Sequence, residues 1–337
     1  GREMNRKQRT MRRIWVLTAV LAWVLSFPIG AEGRSLTVTF AAISGSHVAL
    51  WVAKEAALFD KHGLNVELIY LGGGQATKVL LAGTSPIISI SGPAPVTAAV
   101  QGADTVLLSC VLNTFIFSIM SRPEIEKPEG LVGKKIGISR FGAATDFALR
   151  YVLRRWGMEA GRDVTILQIG GVPEILSAIQ ARSIDAGVLS SPSTLRARKA
   201  GLRELVDMGT LGIEYPGSCI VTTKRFLKEN RQTAKEFLKA YLEGVQKTLS
   251  DQAFANRVIR KYTRVTDPEV IAVTYQDFAR YVQPNPRATT AGVKLILEQL
   301  SASEPKALGI KPESLIDSSL LQELETEGFL KKPPPQR

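Results

Sequence analysis

The sequence predicts an α/β chain of two lobes, each an open, mostly parallel sheet flanked by helices, with C-terminal helices packed on the first lobe. Two observations carry this expectation. Strand-like and helix-like segments alternate from Leu36 to Leu189 at lengths that suit right-handed β-α-β crossovers. The chain also repeats itself: Tyr70-Leu-Gly-Gly-Gly-Gln75, an apolar run to Ala82, Ile87–Ile90 and Ser91-Gly92-Pro93 are echoed by Gln168-Ile-Gly-Gly171, a stretch ending at Ala181, Ile184–Leu189 and Ser190-Ser191-Pro192. The offsets agree, with Gly72 to Gly170 at 98 residues, Ala82 to Ala181 at 99 and Pro93 to Pro192 at 99. A repeat at this spacing marks two similar units with a cleft between them.

Each element has its own warrant. Leu36–Ala41 alternates as a strand, and Ser44 or Ser46 can cap a helix whose apolar positions are Val48, Trp51, Val52, Ala56 and Phe59. Gly63 ends it, strand 65–70 follows, and the Gly72–Gly74 triplet leads into a helix from Gln75 to about Ala82. Ile87–Ile90 is a buried strand; after another helix, 106–112 and 115–120 are strands again. In the second unit, 135–139, 163–168 and 186–189 read as strands and 145–156 and 173–181 as helices. From Gln232 the pattern is helical, with core stripes such as Phe237, Tyr241, Leu242, Val245 and Leu249, interrupted at Pro284 and Pro286, and with further helices near 291–300 and 315–327. Residues 331–337 are expected to be a disordered tail.

At the other end, Arg6, Lys7, Arg9, Arg12 and Arg13 precede an apolar stretch from Ile14 to Leu25, and small residues follow at Gly30, Ala31 and Gly33. This is the layout of a cleaved secretory signal peptide with an N-terminal extension over 1–33, with cleavage expected after Ala31 or Gly33 and translation starting at Met4 or Met11. The 12-residue apolar stretch is shorter than the roughly 20 residues that span a bilayer. The net charge is +12, and the six Lys or Arg and two Glu of residues 1–33 account for a third of it. The remaining cations are scattered among acidic neighbours, as in Lys228-Glu229 and Lys235-Glu236, which argues against nucleic acid as a partner. Cys110 and Cys219 are the only cysteines, too few for a disulfide-rich scaffold. Both lie in apolar strand-like runs where two buried thiols are the default, although an exported chain can oxidise such a pair.

In open α/β sheets a ligand sits beyond the carboxyl ends of the strands. The loops at those ends are 41–47, 71–75 and 91–93 in the first unit and 139–145, 169–172 and 190–192 in the second. The candidate ligand-binding residues are therefore Ser44, Gly45, Ser46, His47, Gly73, Gly74, Gln75, Ser91, Gly92, Arg140, Phe141, Gly142, Thr145, Gly171, Ser190 and Ser191. Several of these loops enter helices, whose free N–H groups suit a carboxylate, sulfonate, phosphate or nitrate without an arginine. His47 is either a donor to such an anion or one polar loop residue. The glycines either let backbone approach a ligand or relieve a tight turn, and Arg140 either pairs with an anion or points outward. Phe141 can lie against a ring or an alkyl group. No catalytic constellation is present: there is no His-Glu-x-x-His, no P-loop and no Gly-x-Ser-x-Gly. Neither a cofactor nor a metal is expected, and the chain reads as a non-enzyme.

The run Trp51-Val-Ala-Lys-Glu-Ala-Ala-Leu-Phe-Asp-Lys-His-Gly-Leu-Asn-Val-Glu67 resembles the signature of periplasmic solute-binding proteins for nitrate, sulfonates, taurine and the pyrimidine precursor of thiamine. Leu131–Gly137, Ser139–Gly142 with Thr145-Asp146, Ser183–Ala186 and Pro216–Phe226 match as well. The resemblance implies a type II periplasmic binding protein: lobe one from 34–118 and 224–330, lobe two from 119–223, and a hinge near 118–122 and 217–223. It places the strand of Cys219 beside that of Cys110, leaving a disulfide open. It further implies capture of a small anionic or heteroaromatic solute, delivery to an ABC transporter permease, a monomer, and a periplasmic or otherwise exported location. Relatives often carry a hydroxyl where this chain reads Gly142-Ala143-Ala144, with Thr145 as the surviving donor. Two other functions fit the resemblance: a sensory module using the same clamp, and the family's enzymatic branch for the thiamine pyrimidine precursor, whose cysteine-rich motif this chain lacks.

Overall fold

The computed structural model describes residues 34–331, so the expected export segment and the residues after Lys331 lie outside it. In the first unit β1 (Arg34–Phe40), β2 (Leu64–Tyr70), β3 (Ile87–Ile90) and β4 (Thr105–Thr114) alternate with α1 (Val48–Glu55), α2 (Leu58–Lys61), α3 (Gln75–Leu81) and α4 (Pro93–Val100). The second unit holds β5 (Ser118–Ser121), β6 (Lys135–Ile138), α5 (Ala144–Arg155), β7 (Thr165–Gln168), α6 (Val172–Gln180), β8 (Ala186–Leu189), α7 (Ser193–Lys199) and β9 (Arg203–Asp207). Strand β10 (Glu214–Thr223) returns to the first.

The two sheets have the orders β2-β1-β3-β10-β4 and β7-β6-β8-β5-β9, the same arrangement used twice. The sequence echo is thus a repeat of topology. In each sheet a strand contributed from the other end of the unit is inserted antiparallel between two that run together: β10 between β3 and β4, β5 between β8 and β9. The pairing is therefore mixed, where mostly parallel sheets were expected. The parallel expectation holds for β1 with β3 and for β6 with β7 and β8, the strands joined by crossover helices.

The inserted strands also move the crossings. Ser118–Ser121 pairs along its whole length within the second sheet, and Glu214–Thr223 lies in the first, from Glu214 opposite Thr114 to Thr223 opposite Thr105. The chain passes between sheets at 115–117 and 212–213, in place of the expected 118–122 and 217–223, and 214–223 belongs with lobe one's sheet. Aromatic side chains fill this junction: Phe115 stacks on Tyr215 at 4.1 Å, and Phe147 of α5 lies 5.6 Å from Tyr215.

Cys110 and Cys219 face each other on β4 and β10 and form a disulfide, which resolves the alternative of two thiols. Beyond β10 come α8 (Lys224–Glu229), α9 (Arg231–Ser250), α10 (Gln252–Thr263), α11 (Pro268–Tyr281), α12 (Thr290–Leu300) and α13 (Ser319–Thr326). They pack mainly on lobe one: α9 and α10 against α1, α12 against β10 and α4, and α13 against β4. One core joins Trp51, Phe59, Phe237 and Tyr241 on one face of the first sheet. A second continues from its other face, through Phe115 and Tyr215, into Ile136, Leu149 and Val188 of lobe two. Leu249, expected in the α9 stripe, is 43 % exposed, because it lies in the helix's last turn.

Candidate functional site

All six strand-end loops converge on one cleft of about 610 Å³, a volume that includes its mouth. From lobe one come Ala41, Ser44, Ser46 and His47 after β1, Tyr70, Gly72 and Gly73 at the end of β2, and Ile90 and Ser91 at the end of β3. From lobe two come Ser139, Ala143 and Thr145 after β6, Gly171 and Val172 after β7, and Ser190 after β8. Ile116 and Phe117 of the first crossing also line it.

Hydrogen bonds run directly between the lobes here. Ser190 Oγ donates to Ser44 Oγ at 3.1 Å, and Gly45 N–H donates to the Ser191 carbonyl at 3.0 Å. Outside the cleft Gln299 Nε2 donates to the Phe147 carbonyl at 3.0 Å, and Lys199 pairs with Asp267 at 2.7 Å. These contacts describe lobes drawn together.

The polar groups in the cleft are uncharged: among the described residues no Arg, Lys, Asp or Glu side chain lines it. His47 is buried, with Nδ1 2.9 Å from Ser89 Oγ, and its burial pulls its pKa down from 6.5 to about 4. The ring is neutral at pH 7 and offers one donor and one acceptor. When Ser89 donates to Nδ1, Nε2–H is the group free to meet a solute. Thr145 Oγ1 accepts from Ser139 N–H at 2.9 Å and lies 2.7 Å from Ser139 Oγ, so one proton of this hydroxyl pair is available. The first-turn amides of α5 and α6 have no acceptor within their own helices and open on the same space.

Several expected donors are committed elsewhere. Gly92 N–H donates to the Pro216 carbonyl at 2.8 Å, and Ser91 Oγ donates to the Gly217 carbonyl at 2.6 Å, both anchoring β10. Gly142 N–H donates to Asp146 and Phe141 N–H to Gln168 Oε1. Phe141 is 56 % exposed and lines an outer groove with Gly142. Arg140 lies across Gly73, which adopts φ +61°; a Cβ there would meet Arg140 Cδ at 2.9 Å. Gly74 and the exposed Gln75 stand outside the cleft, and Gly45 and Ser191 line a neighbouring chamber.

Strand-end reasoning missed Tyr70, Ile90, Ala94, Ile116 and Phe117. Tyr70 and Ile90 are the last residues of their strands, Ala94 lies in the first turn of α4, and Ile116 and Phe117 lie in the crossing, where no polar loop marks them. Tyr70 reaches across to lobe two, with its hydroxyl 3.1 Å from where a Cβ on Gly171 would stand, and its pKa is raised by burial and by Glu174, against the pull of Arg140.

Known proteins resemble this chain in sequence and in fold. A family model described as NMT1/THI5 like matches residues 44–255. The chain belongs to that family. YtlA of Bacillus subtilis (strain 168), provisionally named a binding protein, is 23 % identical over 293 residues, covering 83 % of this chain and 87 % of that one. The taurine-binding periplasmic protein of Escherichia coli (strain K12) is 24 % identical over 223 residues, 65 % of this chain and 68 % of its own length. The alkanesulfonate-binding protein SsuA of Xanthomonas axonopodis pv. citri, solved with MOPS bound, superposes with a TM-score of 0.72 at 17 % identity, over 85 % of this chain and 99 % of SsuA. The relatives compared are thus named as binding proteins. Among the described residues no group of three His, Cys, Asp or Glu is placed to hold a metal ion, and no helix is long and apolar enough to cross a membrane.

Proposed function

We infer that the chain is the solute-binding component of an ABC-type import system, closing its lobes on a small solute in the periplasm and presenting it to a membrane permease. The observation that carries this reading is the convergence of all six loops, from both sheets, on one cleft bridged by Ser190–Ser44 and Gly45–Ser191 hydrogen bonds. A solute binding there would add contacts to both lobes only when they are closed, and so shift the population toward that state. The family and the relatives named for taurine and alkanesulfonate support the same role. Export by a cleaved signal peptide over 1–33 and action as a monomer belong to this reading.

The lining narrows the solute. Ala41, Ile90, Ala94, Ile116, Phe117 and Val172 supply an apolar wall, while the donors are a neutral imidazole, hydroxyls and first-turn amides. That set fits a compact oxyanion head on an apolar body, such as an alkanesulfonate or a small aromatic acid, in preference to a bare nitrate. Anion recognition by neutral donors and helix N-termini needs no counter-ion side chain.

A thermal-shift screen of ligand-stripped protein tests this, with taurine, alkanesulfonates, nitrate, aromatic carboxylates and hydroxymethylpyrimidine. A ligand at ~100 times its Kd adds about 2.7 kcal/mol of stability. A shift with the alkanesulfonates or aromatic acids is expected; a shift with nitrate alone, or with none, refutes this solute class.

A further inference from the structure

Behind the Ser44–Ser46 segment lies a second chamber of about 510 Å³, sharing Ser44, Ser46 and Ile116 with the cleft but different in charge. Lobe two contributes Ser191, Arg198 and Asp207 to it, and α11 on lobe one contributes Asp277, Phe278 and Tyr281. Arg198 is committed to Glu204, with Nε at 3.0 Å and Nη2 at 2.7 Å from its carboxylate. Asp207 accepts from Gly209 N–H at 3.0 Å. Asp277, by contrast, has no ion pair among the described residues, and its pKa is raised, first by burial and then by the Asp207 charge, against the opposing effects of Ser191, Arg198 and Arg280.

Two further polar groups there lack partners. Ser191 is only 9 % exposed, and its buried Oγ makes no hydrogen bond of normal geometry, although it lies close enough to Asp277 to favour that carboxylate. The buried Tyr281 hydroxyl is likewise unpaired. A half-buried carboxylate with no ion pair, beside two hydroxyls that make no hydrogen bond of normal geometry, is a costly arrangement. Leu112, Ile116 and Phe278 supply the chamber's apolar lining. A divalent metal calls for several hard oxygen ligands at set geometry, and among the described residues no group of three His, Cys, Asp or Glu is placed to supply them. The chemistry that satisfies every one of these groups is a cation carrying several N–H donors on a short alkyl stem.

We propose that this second chamber binds a primary alkylammonium ion, with Asp277 as its counter-ion and Ser191 and Tyr281 as hydrogen-bond acceptors, joining α11 of lobe one to lobe two. The occupant is distinct from the cleft's solute, because the bonded Ser44–Ser46 segment stands between the two spaces. The inference stands whether or not the cleft takes a sulfonate.

The test is calorimetric titration of the ligand-stripped protein with ethylammonium chloride, with sodium chloride and tetramethylammonium chloride as references at equal ionic strength. Saturable binding of ethylammonium alone is expected, weakened at least tenfold in Asp277→Asn and at least threefold in Ser191→Ala. Asp277→Asn keeps the side chain's shape and removes a buried charge; should it fail to fold by circular dichroism, Ser191→Ala decides alone. Absence of saturable binding, an equal response to tetramethylammonium, or undiminished binding in a folded variant overturns the proposal.

Discussion

Lowering the pH from 7 to 5 should destabilise the protein through His47, and the size of the effect follows from its burial. The imidazole pKa is about 4 in the folded state, against an ordinary value of 6.5. Between these values the unfolded chain binds the proton and the folded chain does not, so stability falls as pH drops through 6.5 and levels off below 4. At pH 5 the unfolded state is stabilised by about 2 kcal/mol relative to the folded one, approaching about 3.4 kcal/mol at pH 4 and below. Surface carboxylates whose pKa values are lowered, such as Asp251 and Asp267, also weaken the fold in acid, so the quantity to measure is a difference. Urea unfolding at pH 7 and pH 5, followed by the emission of tryptophan, serves here, since buried Trp51 lies 6.4 Å from the His47 ring. Wild type should lose about 2 kcal/mol more over this range than His47→Gln. An equal loss in both proteins would refute the claim that a buried, neutral imidazole sits in the cleft.

Three further outcomes follow from packing and bonding. Gly244→Ala on α9 would place a Cβ 2.5 Å from the Ala49 carbonyl and 2.7 Å from Ala53 Cβ of α1, so a loss of about 1–3 kcal/mol is expected by urea unfolding, and unchanged stability contradicts the close helix contact. Reducing the Cys110–Cys219 disulfide, which closes a sequence separation of 109 residues, should cost about 2–5 kcal/mol by the same assay. Thr145→Val removes the acceptor of Ser139 N–H and the partner of Ser139 Oγ; calorimetry with whichever solute the thermal screen selects should show at least tenfold weaker binding, while a valine variant of native affinity would remove this hydroxyl pair from the site.

Much of the architecture was legible because its signals are local. The glycine triplet, the apolar strand Ile87–Ile90 and the Ser-Gly-Pro and Ser-Ser-Pro turns mark units whose topology proved to be repeated. What escaped was long-range or half-exposed. Strand β9 (Arg203–Asp207) lies at a sheet edge and is mostly half-buried, and α7 (Ser193–Lys199) buries only Ser193, Thr194 and Ala197, so neither shows a strong apolar period. The crossings were misplaced by a few residues because β5 and β10 read as extended chain whether they bridge lobes or pair within a sheet. In the site, the loops were legible and the orientation of individual groups was not. Gly92 and Ser91 spend their donors on β10, and Gly45 and Ser191 turn toward the second chamber, outcomes set by where β10 and α11 pack.

Under the proposed function the lobes close on a solute held between the Ser44–His47 loop and the loops of lobe two. Small-angle X-ray scattering of the ligand-stripped protein, with and without each compound that raises its melting temperature, tests it most directly. A smaller radius of gyration is expected with such a compound, and loss of that compaction when Ala94→Trp, at the start of α4, fills the cleft. A compound that stabilises the protein while leaving its radius of gyration unchanged would rule out closure on a solute.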